Sequence, residues 1–462
     1  MKIKKTINIK PELLAPAGNL EKMKTAFAFG ADAVYLGIPD FSLRVRINDF
    51  DMAGIAEAVK YAHLLNKKVY VTLNIFAHNE QIKKLPAHLK TLGKIKPDGI
   101  FISDPGVLTL VKKYLPKIKI ILSTQANCTN WESAVFWQKQ GFSRVILSRE
   151  MSLAEIKEIH KKLPKLELES FVHGALCMAY SGRCFLSKYF NDRNANLGDC
   201  SQPCRWPYSI KNYELKIKNE GVVLGTGKKE DGDLELVEEE HGSYILNSQD
   251  LCLIKRLPEL MDCGLSAFKI EGRAKSVYYL ANVVGAYREA IDALALTPSR
   301  RGRATPLPLR SRESGRGDGG EGKLLNYLYK ELEQKLMHRG YTEGFMFGEG
   351  KLAQNLDNSH NQSEWEFCGQ VVVDSRWQIA DGRILIKVHN TLKVGDEIEI
   401  LRPAYDIIKM KVKKLVDAKN GQEITEAHGG SGGQTVILEV GREVPQYSVL
   451  RRKINKLKVV KL

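Results

Sequence analysis

The sequence lacks a long hydrophobic run. Nowhere do about 18 consecutive residues stay apolar, so no membrane-spanning helix and no membrane partner are expected. Residues 1–10 are basic and contain no apolar core, which excludes the pattern of a secretory signal peptide. The expected location is therefore cytoplasmic. In that compartment clustered cysteines are more often metal ligands or redox groups than disulfides.

Motifs of the common peptidases are missing or misplaced. No His-Glu-x-x-His segment occurs, and the Gly-x-Ser-x-Gly match at 429–433 lies in a glycine-rich loop, not at a strand–helix elbow. His173 and Cys177 could mimic a Cys/His pair, but metal ligation explains Cys177 together with three further cysteines. The Gly-x-Gly-x-x-Gly match at 315–320 follows no strand and is discounted. A peptidase stays only as an alternative.

Acidic residues are too few to balance the basic ones. The 462 residues carry 70 Lys and Arg against 54 Asp and Glu, a formal net charge of +16. Such an excess favours polyanionic partners, above all nucleic acid, although it does not define a fold. The length predicts two or three domains.

Residues 1–295 alternate short β-rich runs with segments of helical periodicity. This alternation predicts right-handed βαβ units, and eight strands fit an α/β fold of the TIM-type (β/α)8 barrel class. An open, doubly wound sheet is the alternative. The predicted strands are 12–15, 33–37, 69–74, 99–104, 118–124, 144–148, 168–173 and 267–271.

The alternation breaks after the seventh strand. An insertion over about 174–248 holds four of the eight cysteines and an acidic loop at 228–240, and a helix is predicted over 250–263. Insertions that follow barrel strands face the C-terminal rim, where catalytic groups collect.

The composition changes again beyond residue 295. Residues 296–323 hold six arginines among Pro, Gly and Ser, which predicts a disordered linker that could also contact RNA backbone. A helix over 324–338 opens a connector at 324–364. Short β segments with turn signals predict a small all-β barrel or sandwich over 365–462. Its many lysines fit either a nucleic-acid-docking module or a solvated basic face.

Four cysteines form a compact constellation: Cys177, Cys184, Cys200 and Cys204, at spacings C-x6-C-x15-C-x3-C. Soft thiolates suit an iron–sulfur cluster or zinc. The paired C-x2-C knuckles of zinc ribbons and the C2H2 spacing are absent. A structural zinc site and four buried structural cysteines remain as alternatives.

Several segments resemble one known family. These are Glu-Leu-Leu-Ala-Pro-Ala-Gly at 12–18, Gly-Ala-Asp-Ala-Val-Tyr-Leu-Gly at 30–37, the cysteine block and Lys-Ile-Glu-Gly-Arg at 269–273. Together they resemble the collagenase-like family historically catalogued as peptidases of unknown type. Residues 173–184 and 339–345 look most like its tRNA-hydroxylation branch. The likeness covers about 1–290 and 324–462 and fails over the arginine-rich linker.

The resemblance implies a specific activity. Similar proteins hydroxylate carbon 5 of the wobble uridine in tRNA, depend on prephenate as a co-substrate, and hold a 4Fe–4S cluster. The cluster ligands match Cys177, Cys184, Cys200 and Cys204. In a sister branch a later cysteine supplies the fourth ligand; because Cys204 is present here, it is favoured over Cys252.

Candidate site residues follow the predicted strands. His173, Glu271 and Arg273 are the catalytic candidates. Substrate-binding candidates are polar residues at the same rim: Asn74, Gln125, Arg149, Arg183 and Arg205. Guanidinium groups suit the two carboxylates of prephenate, so Arg183, Arg205 and Arg273 are expected there. Each candidate could instead be structural, and Asp104 before Pro105 is expected to be a helix N-cap.

The predicted function is therefore hydroxylation of a tRNA uridine. Three alternatives stay open: a hydroxylase of ubiquinone precursors, as in sister members of the family, a peptidase, and a non-catalytic RNA-binding protein with a structural metal site.

Overall fold

In the computed structural model the described residues are 10–43, 49–206, 246–295, 320–347, 353–355, 363–373, 382–430 and 433–454, with the backbone alone of 222–224 and 234–236. None of the helices in these ranges is both long and apolar enough to cross a bilayer.

Seven parallel strands and six helices alternate in the first part of the chain. The strands are β1 Glu12–Pro16, β2 Ala33–Gly37, β3 Lys68–Leu73, β4 Gly99–Ile102, β5 Ile120–Leu122, β6 Arg144–Ile146 and β7 Glu167–Ala175. The helices are α1 Leu20–Ala28, α2 Met52–Leu64, α3 Asn79–Ile95, α4 Pro105–Tyr114, α5 Trp131–Lys139 and α6 Leu153–Lys162. Short polar side chains cap several helix starts; the Val107 amide donates to the Asp104 carboxylate over 2.9 Å, which confirms Asp104 as an N-cap.

The insertion after β7 contains α7 Leu186–Asn191, β8 Val222–Leu224, β9 Leu234–Leu236 and β10 Asp250–Cys252. Strand β10 runs antiparallel to the end of β7, with Cys252 opposite His173. The predicted helix over 250–263 is therefore wrong at its start, and the helix α8 spans only Leu257–Asp262. Pairing with β7, which is distant in sequence, overrides the local helical periodicity.

The last barrel strand closes the sheet. It is β11 Ala267–Ile270, which precedes helix α9 Val277–Ala295 and lies parallel to both β1 and β7. The eight parallel strands thus form a closed barrel, in the order β1 to β7 and then β11. The predicted (β/α)8 barrel with its insertion after strand seven is confirmed, and the open sheet is excluded.

A second, all-β unit follows a short connector. The connector contains α10 Gly320–Lys335, β12 Tyr341–Thr342 and α11 Gly344–Phe347. Helix α10 starts within the predicted linker, whose residues 296–319 lie outside the described ranges. The C-terminal strands are β13 Trp365–Val372, β14 Arg383–Val388, β15 Thr391–Lys393, β16 Glu397–Arg402, β17 Asp406–Lys411, β18 Leu415–Asp417, β19 Glu423–Ile424, β20 Glu426–His428, β21 Thr435–Glu439 and β22 Val449–Lys453. Eight of them form one antiparallel sheet in the order β17-β16-β22-β13-β14-β21-β18-β19, which confirms the predicted all-β domain.

Arg451 joins the two units. Its guanidinium is fully buried and donates to Glu399 at 2.9 Å, to Asn282 of α9 at 2.8 Å and to Glu331 of α10 at 2.5 Å. Lys335 of α10 also donates to Glu399, over 2.7 Å. Buried, multiply bonded charges of this kind fix one packing geometry, because any displacement would leave a charge without its partner.

A chain of charges crosses the barrel interior. Arg144 of β6 donates to Glu12 of β1 at 2.7 Å, to Glu167 at 2.6 Å and to Glu169 of β7 at 3.0 Å. Glu169 has no exposed surface and also accepts from Lys269 of β11 at 3.1 Å. Charged groups therefore occupy the barrel where hydrophobic layers are usual, and every one of them has an opposite charge in contact.

Replacing Glu169 tests this network. Glu169→Gln keeps the shape of the side chain but leaves the positive charges of Arg144 and Lys269 in excess in the interior. The free energy of unfolding should therefore fall by about 3 kcal/mol. Thermal unfolding followed by intrinsic fluorescence measures this change. Glu80→Gln removes a surface partner of Lys84 on α3 and should leave the midpoint unchanged. Equal midpoints for Glu169→Gln and the native protein would contradict the interpretation.

Candidate functional site

The first cysteines lie in a loop that folds back onto the barrel rim, meaning the C-terminal ends of the strands. This cysteine loop spans residues 177–184. The Ser181 amide donates to the Glu150 carboxylate over 2.5 Å, and its hydroxyl donates to the same group over 2.6 Å. Ser148, directly after β6, also contacts the Ser181 hydroxyl at 2.7 Å. Glu150 thus holds the loop by its backbone, and Ser181 adopts a left-handed φ of 45° there.

The other end of the cysteine loop covers β5. Arg183 donates from Nε and Nη2 to the Gln125 carbonyl, over 3.1 and 2.8 Å, and its guanidinium lies over the Phe76 ring. Gly182 has a φ of 89°, which residues with a side chain rarely adopt, and a β-carbon there would lie 2.6 Å from Nε2 of Gln125. Glycine is therefore required where the loop crosses the mouth of the barrel.

Several buried polar atoms at this rim have no hydrogen-bond partner among the residues that the structure describes. They include one oxygen each of Asn74 and Gln125, both amide atoms of Asn127 and Nε of Arg149. The rest of Arg149 is held in place, because Nη1 donates to the Ala175 carbonyl over 2.9 Å and the guanidinium lies over Phe171. Unpartnered buried polar atoms cost free energy and are rare in native proteins, so their concentration marks a candidate ligand site.

The four cysteines of the constellation come together. All are unbonded and half-buried. Burial raises the pKa of Cys184, and the neighbouring thiols Cys177 and Cys200 raise it further. Burial also raises the pKa of Cys204, again with Cys177 and then Cys200 contributing. Cys184 and Cys204 are thus each near enough to Cys177 and Cys200 for their charges to interact.

Backbone amides point at two of these sulfur atoms. Leu186 N donates to Cys184 Sγ over 3.4 Å, and Gln202 N donates to Cys200 Sγ over 3.3 Å. Amide donors of this kind stabilise thiolate ligands and set the potential of iron–sulfur clusters. Within the described residues, no three side chains of His, Cys, Asp or Glu are placed so that they could hold a metal ion. Four thiols are the donor set that a four-iron cluster uses, with one thiolate for each iron.

Cations surround one carboxylate beside the thiols. Arg339 donates to Asp250 from Nε at 3.0 Å and from Nη2 at 2.6 Å. Burial would raise the pKa of Asp250, but Arg339 and Lys275, with a smaller effect of Arg205, hold it below its usual value. No ion pair joins Arg205 or Lys275 to any described residue. Arg205, next to Cys204, and Lys275, near Asp250, therefore lack an opposite charge in contact among the described residues.

The predicted catalytic residues have different environments. His173 is 1% exposed and lies against the rings of Tyr279, Tyr287 and Tyr341. Burial lowers the pKa of His173 to about 3, with the like charge of His338 adding to the effect while Asp250 opposes it. The imidazole is thus neutral at physiological pH, and it is not available there as a protonated general acid.

Glu271 and Arg273 follow β11 at the same rim. The Tyr35 hydroxyl donates to Glu271 over 3.2 Å, and Arg273 donates to Ser42 over 2.7 Å. Arg273 is buried and also contacts Thr72, at 3.4 Å. The structure brings the sequence-predicted candidates to one end of the barrel.

A cavity of about 310 Å³ opens between the cysteine loop and the connector. It is lined by Cys177, Arg149, Glu150 and Tyr180, and by Phe345 from α11. Its wall is mostly apolar, with Arg149 and Glu150 as the charged lining residues, and its volume suits a small ligand.

Sequence reasoning missed Glu150, Asp250, Lys275 and Arg339. Asp250 and Arg339 are 89 residues apart, so no local pattern connects them. The available signal was position: Arg339 opens the family-like segment 339–345, and Glu150 follows β6 as the other candidates follow their strands.

Removing the Glu150 carboxylate tests the attachment of the cysteine loop. In Glu150→Ala the Ser181 amide and hydroxyl lose a charged acceptor, so amides of residues 178–184 should exchange with solvent at least about tenfold faster. Hydrogen–deuterium exchange with mass spectrometry measures this rate. Glu155→Ala, which removes an acceptor of Ser152 at the start of α6, should not affect the loop. Unchanged exchange in Glu150→Ala would show that other contacts hold the loop.

Comparison with known families gives two adjoining matches. Residues 18–355 match the model of peptidase family U32, and residues 363–451 match the model of the U32 C-terminal domain. These boundaries agree with the division into a barrel with its connector and a β domain.

Three curated relatives show how far the similarity extends. The chain is 37% identical to "tRNA hydroxylation protein P" of Haemophilus influenzae, covering 97% of both chains. It is 38% identical to the protein of the same name from Escherichia coli, covering 96% of this chain and 97% of the other. It is 33% identical to the "23S rRNA 5-hydroxycytidine C2501 synthase" of Escherichia coli, covering 72% of this chain but 45% of that protein.

Proposed function

This chain belongs to peptidase family U32, and we propose that it is an RNA hydroxylase whose target is carbon 5 of the wobble uridine in tRNA. The observation that carries the proposal is similarity over nearly the whole length, including the C-terminal domain, to two tRNA hydroxylation proteins. The name of the similar rRNA synthase gives further support, because its product is also a pyrimidine hydroxylated at carbon 5, in another RNA. The net charge of +16 suits such a polyanionic substrate.

Cys177, Cys184, Cys200 and Cys204 would hold a 4Fe–4S cluster. Their mutual proximity and the amides donated to two of the sulfur atoms support this ligand set. When bound, the cluster would supply one-electron transfer chemistry at this rim. Arg205 and Arg339 lie near Cys204 and would stabilise its thiolate.

Arg205 and Lys275 are suited to an anionic co-substrate. Both lie beside Asp250, whose charge Arg339 already neutralises through two hydrogen bonds. A dicarboxylate such as prephenate would supply the missing negative charge next to the cluster ligands. Of the three guanidinium groups expected to bind prephenate, Arg205 is the one that this arrangement favours. Arg183 donates to a backbone carbonyl and Arg273 to two hydroxyls.

A peptidase with a Cys177–His173 pair is less well supported. His173 packs among three tyrosines, and Cys177 lies with the three other thiols of the constellation. The hydroxylase proposal accounts for these thiols together, whereas a cysteine nucleophile would account for one of them.

Cys200→Ser tests the cluster. After anaerobic purification the native protein should contain about four irons and four sulfides per chain, and the variant should lose most of both. Cys263→Ser, a change at a buried cysteine of the barrel, should retain the full content. Cys204→Ser should behave like Cys200→Ser, whereas Cys252→Ser should not, because Cys252 is buried on β10. Zinc without a visible absorption band, or full iron in Cys200→Ser, would reject the assignment.

Lys275→Met tests the co-substrate site. Loss of one charged donor should raise the prephenate concentration needed for half-maximal tRNA hydroxylation at least about tenfold while the iron content stays unchanged. The measurement is mass spectrometry of nucleosides from tRNA treated with the purified protein. Lys119→Met removes a paired lysine at the opposite end of the barrel and should have no effect. An unchanged prephenate requirement in Lys275→Met would place the co-substrate elsewhere.

A further inference from the structure

Exposed aromatic side chains are concentrated in the cysteine-rich insertion. Five large rings stand out of the surface between residues 180 and 206. Their exposed fractions are Tyr180 54%, Phe185 77%, Tyr189 82%, Phe190 45% and Trp206 37%. No large aliphatic side chain is exposed in that segment, whereas elsewhere in the described residues exposed leucines, valines and a methionine occur singly or in pairs.

Most of these rings are connected. Tyr189 contacts Phe190 edge-on, with ring centroids 5.2 Å apart, and Phe190 contacts Trp206 at 6.1 Å. Phe185, the N-cap residue of α7, lies one turn before Tyr189, whose amide donates to the Phe185 carbonyl over 2.8 Å. We call this set, Phe185, Tyr189, Phe190 and Trp206, the aromatic platform.

The aromatic platform adjoins the candidate site. Phe185 follows Cys184 directly, and Trp206 is two residues beyond Cys204. Tyr180, the fifth exposed ring, lines the cavity that also contains Cys177. A ligand bound on the platform would therefore lie beside whatever enters the barrel mouth.

The charge around the platform is positive. Residues 180–206 contain four cationic side chains, Arg183, Lys188, Arg193 and Arg205, against only Asp192 and Asp199. Lys188 pairs with Asp192 and Arg193 with Asp199, at the edge of the platform, and Arg183 and Arg205 lie towards the rim. Basic groups around exposed rings are the arrangement that binds single-stranded nucleic acid, because the cations contact phosphates while the rings stack on bases.

We propose that the aromatic platform stacks the unpaired bases that flank the target nucleotide in an RNA loop. The proposal rests on the proposed function for the class of substrate and adds where the loop binds. A target base can reach the barrel mouth only if it leaves its stack, and rings beside the mouth would replace the stacking that its neighbours lose. A hairpin loop offers such bases, whereas a continuous duplex does not.

Binding of two RNA probes to the full-length protein tests the proposal. The probes are a fluorescently labelled stem–loop with a uridine-containing loop and a blunt duplex of equal length. Tyr189→Ala should weaken stem–loop binding on the order of tenfold and leave duplex binding unchanged. Tyr189→Trp should bind the stem–loop like the native protein, and Tyr189→Leu should bind it as weakly as Tyr189→Ala.

Phe136→Ala is the matched control, because Phe136 is 53% exposed on α5, outside the insertion. It should leave binding of both probes unchanged. Equal stem–loop affinity in Tyr189→Ala and the native protein would overturn the proposal, as would native-like affinity in Tyr189→Leu. The native protein could also self-associate in sedimentation. If Tyr189→Ala lost this self-association while stem–loop binding stayed unchanged, the platform would be a protein interface instead.

The platform and the proposed function can fail separately. Selective stem–loop binding that depends on Tyr189, without any hydroxylated uridine in treated tRNA, would retain the platform and reject the hydroxylase. Hydroxylation by the native protein with unchanged stem–loop affinity in Tyr189→Ala would retain the hydroxylase and reject the platform. Iron content measured in each variant separates loss of binding from damage near Cys184.

Discussion

Glu169 lies between Arg144 and Lys269 inside the barrel, and much of the structure depends on this buried contact. It joins β7 to its two neighbouring strands, β6 and β11. Shifting one strand by a residue would turn a charge out of the interior and leave its partner uncompensated, at a cost of several kcal/mol. Closure in a single register in turn determines where β7 and β11 end, and therefore where the insertion starts and where Glu271 and Arg273 lie.

The insertion returns to the barrel at both of its ends. Near its start, Ser181 bonds to Glu150 beyond β6, and near its finish, β10 pairs with the extended end of β7. Arg339 then reaches from the connector to Asp250 and to the Leu176 carbonyl, which directly precedes the first cysteine of the constellation. Three separate parts of the chain thus position one cluster of thiols. Such positioning from several elements is what a preorganised site requires, because a loop held at one point would leave its ligands mobile.

Local patterns in the sequence were enough to predict the barrel and the β domain. The hydrophobic periodicity that distinguishes a strand from a helix repeats over a few residues. Asp104 before Pro105 is likewise a local helix-start signal, which the structure confirms. The helix predicted from residue 250 failed because its first residues pair with β7, far away in the sequence. Arg339 and Asp250 escaped prediction for the same reason. The cysteine spacing indicated a shared ligand, but only the fold shows which charges surround it.

The distribution of unsatisfied groups connects this architecture to function. The barrel interior pairs its charges closely. Among the described residues, however, amide atoms of Asn74, Gln125 and Asn127 at the mouth are buried without partners, and Lys275 and Arg205 have no counter-charge in contact. A fold able to balance Glu169 so closely could also have balanced these groups, had stability been the sole constraint. These groups are the ones that the proposed ligands would satisfy: a negative charge beside Cys204, and a polar group at the ends of β3 and β5.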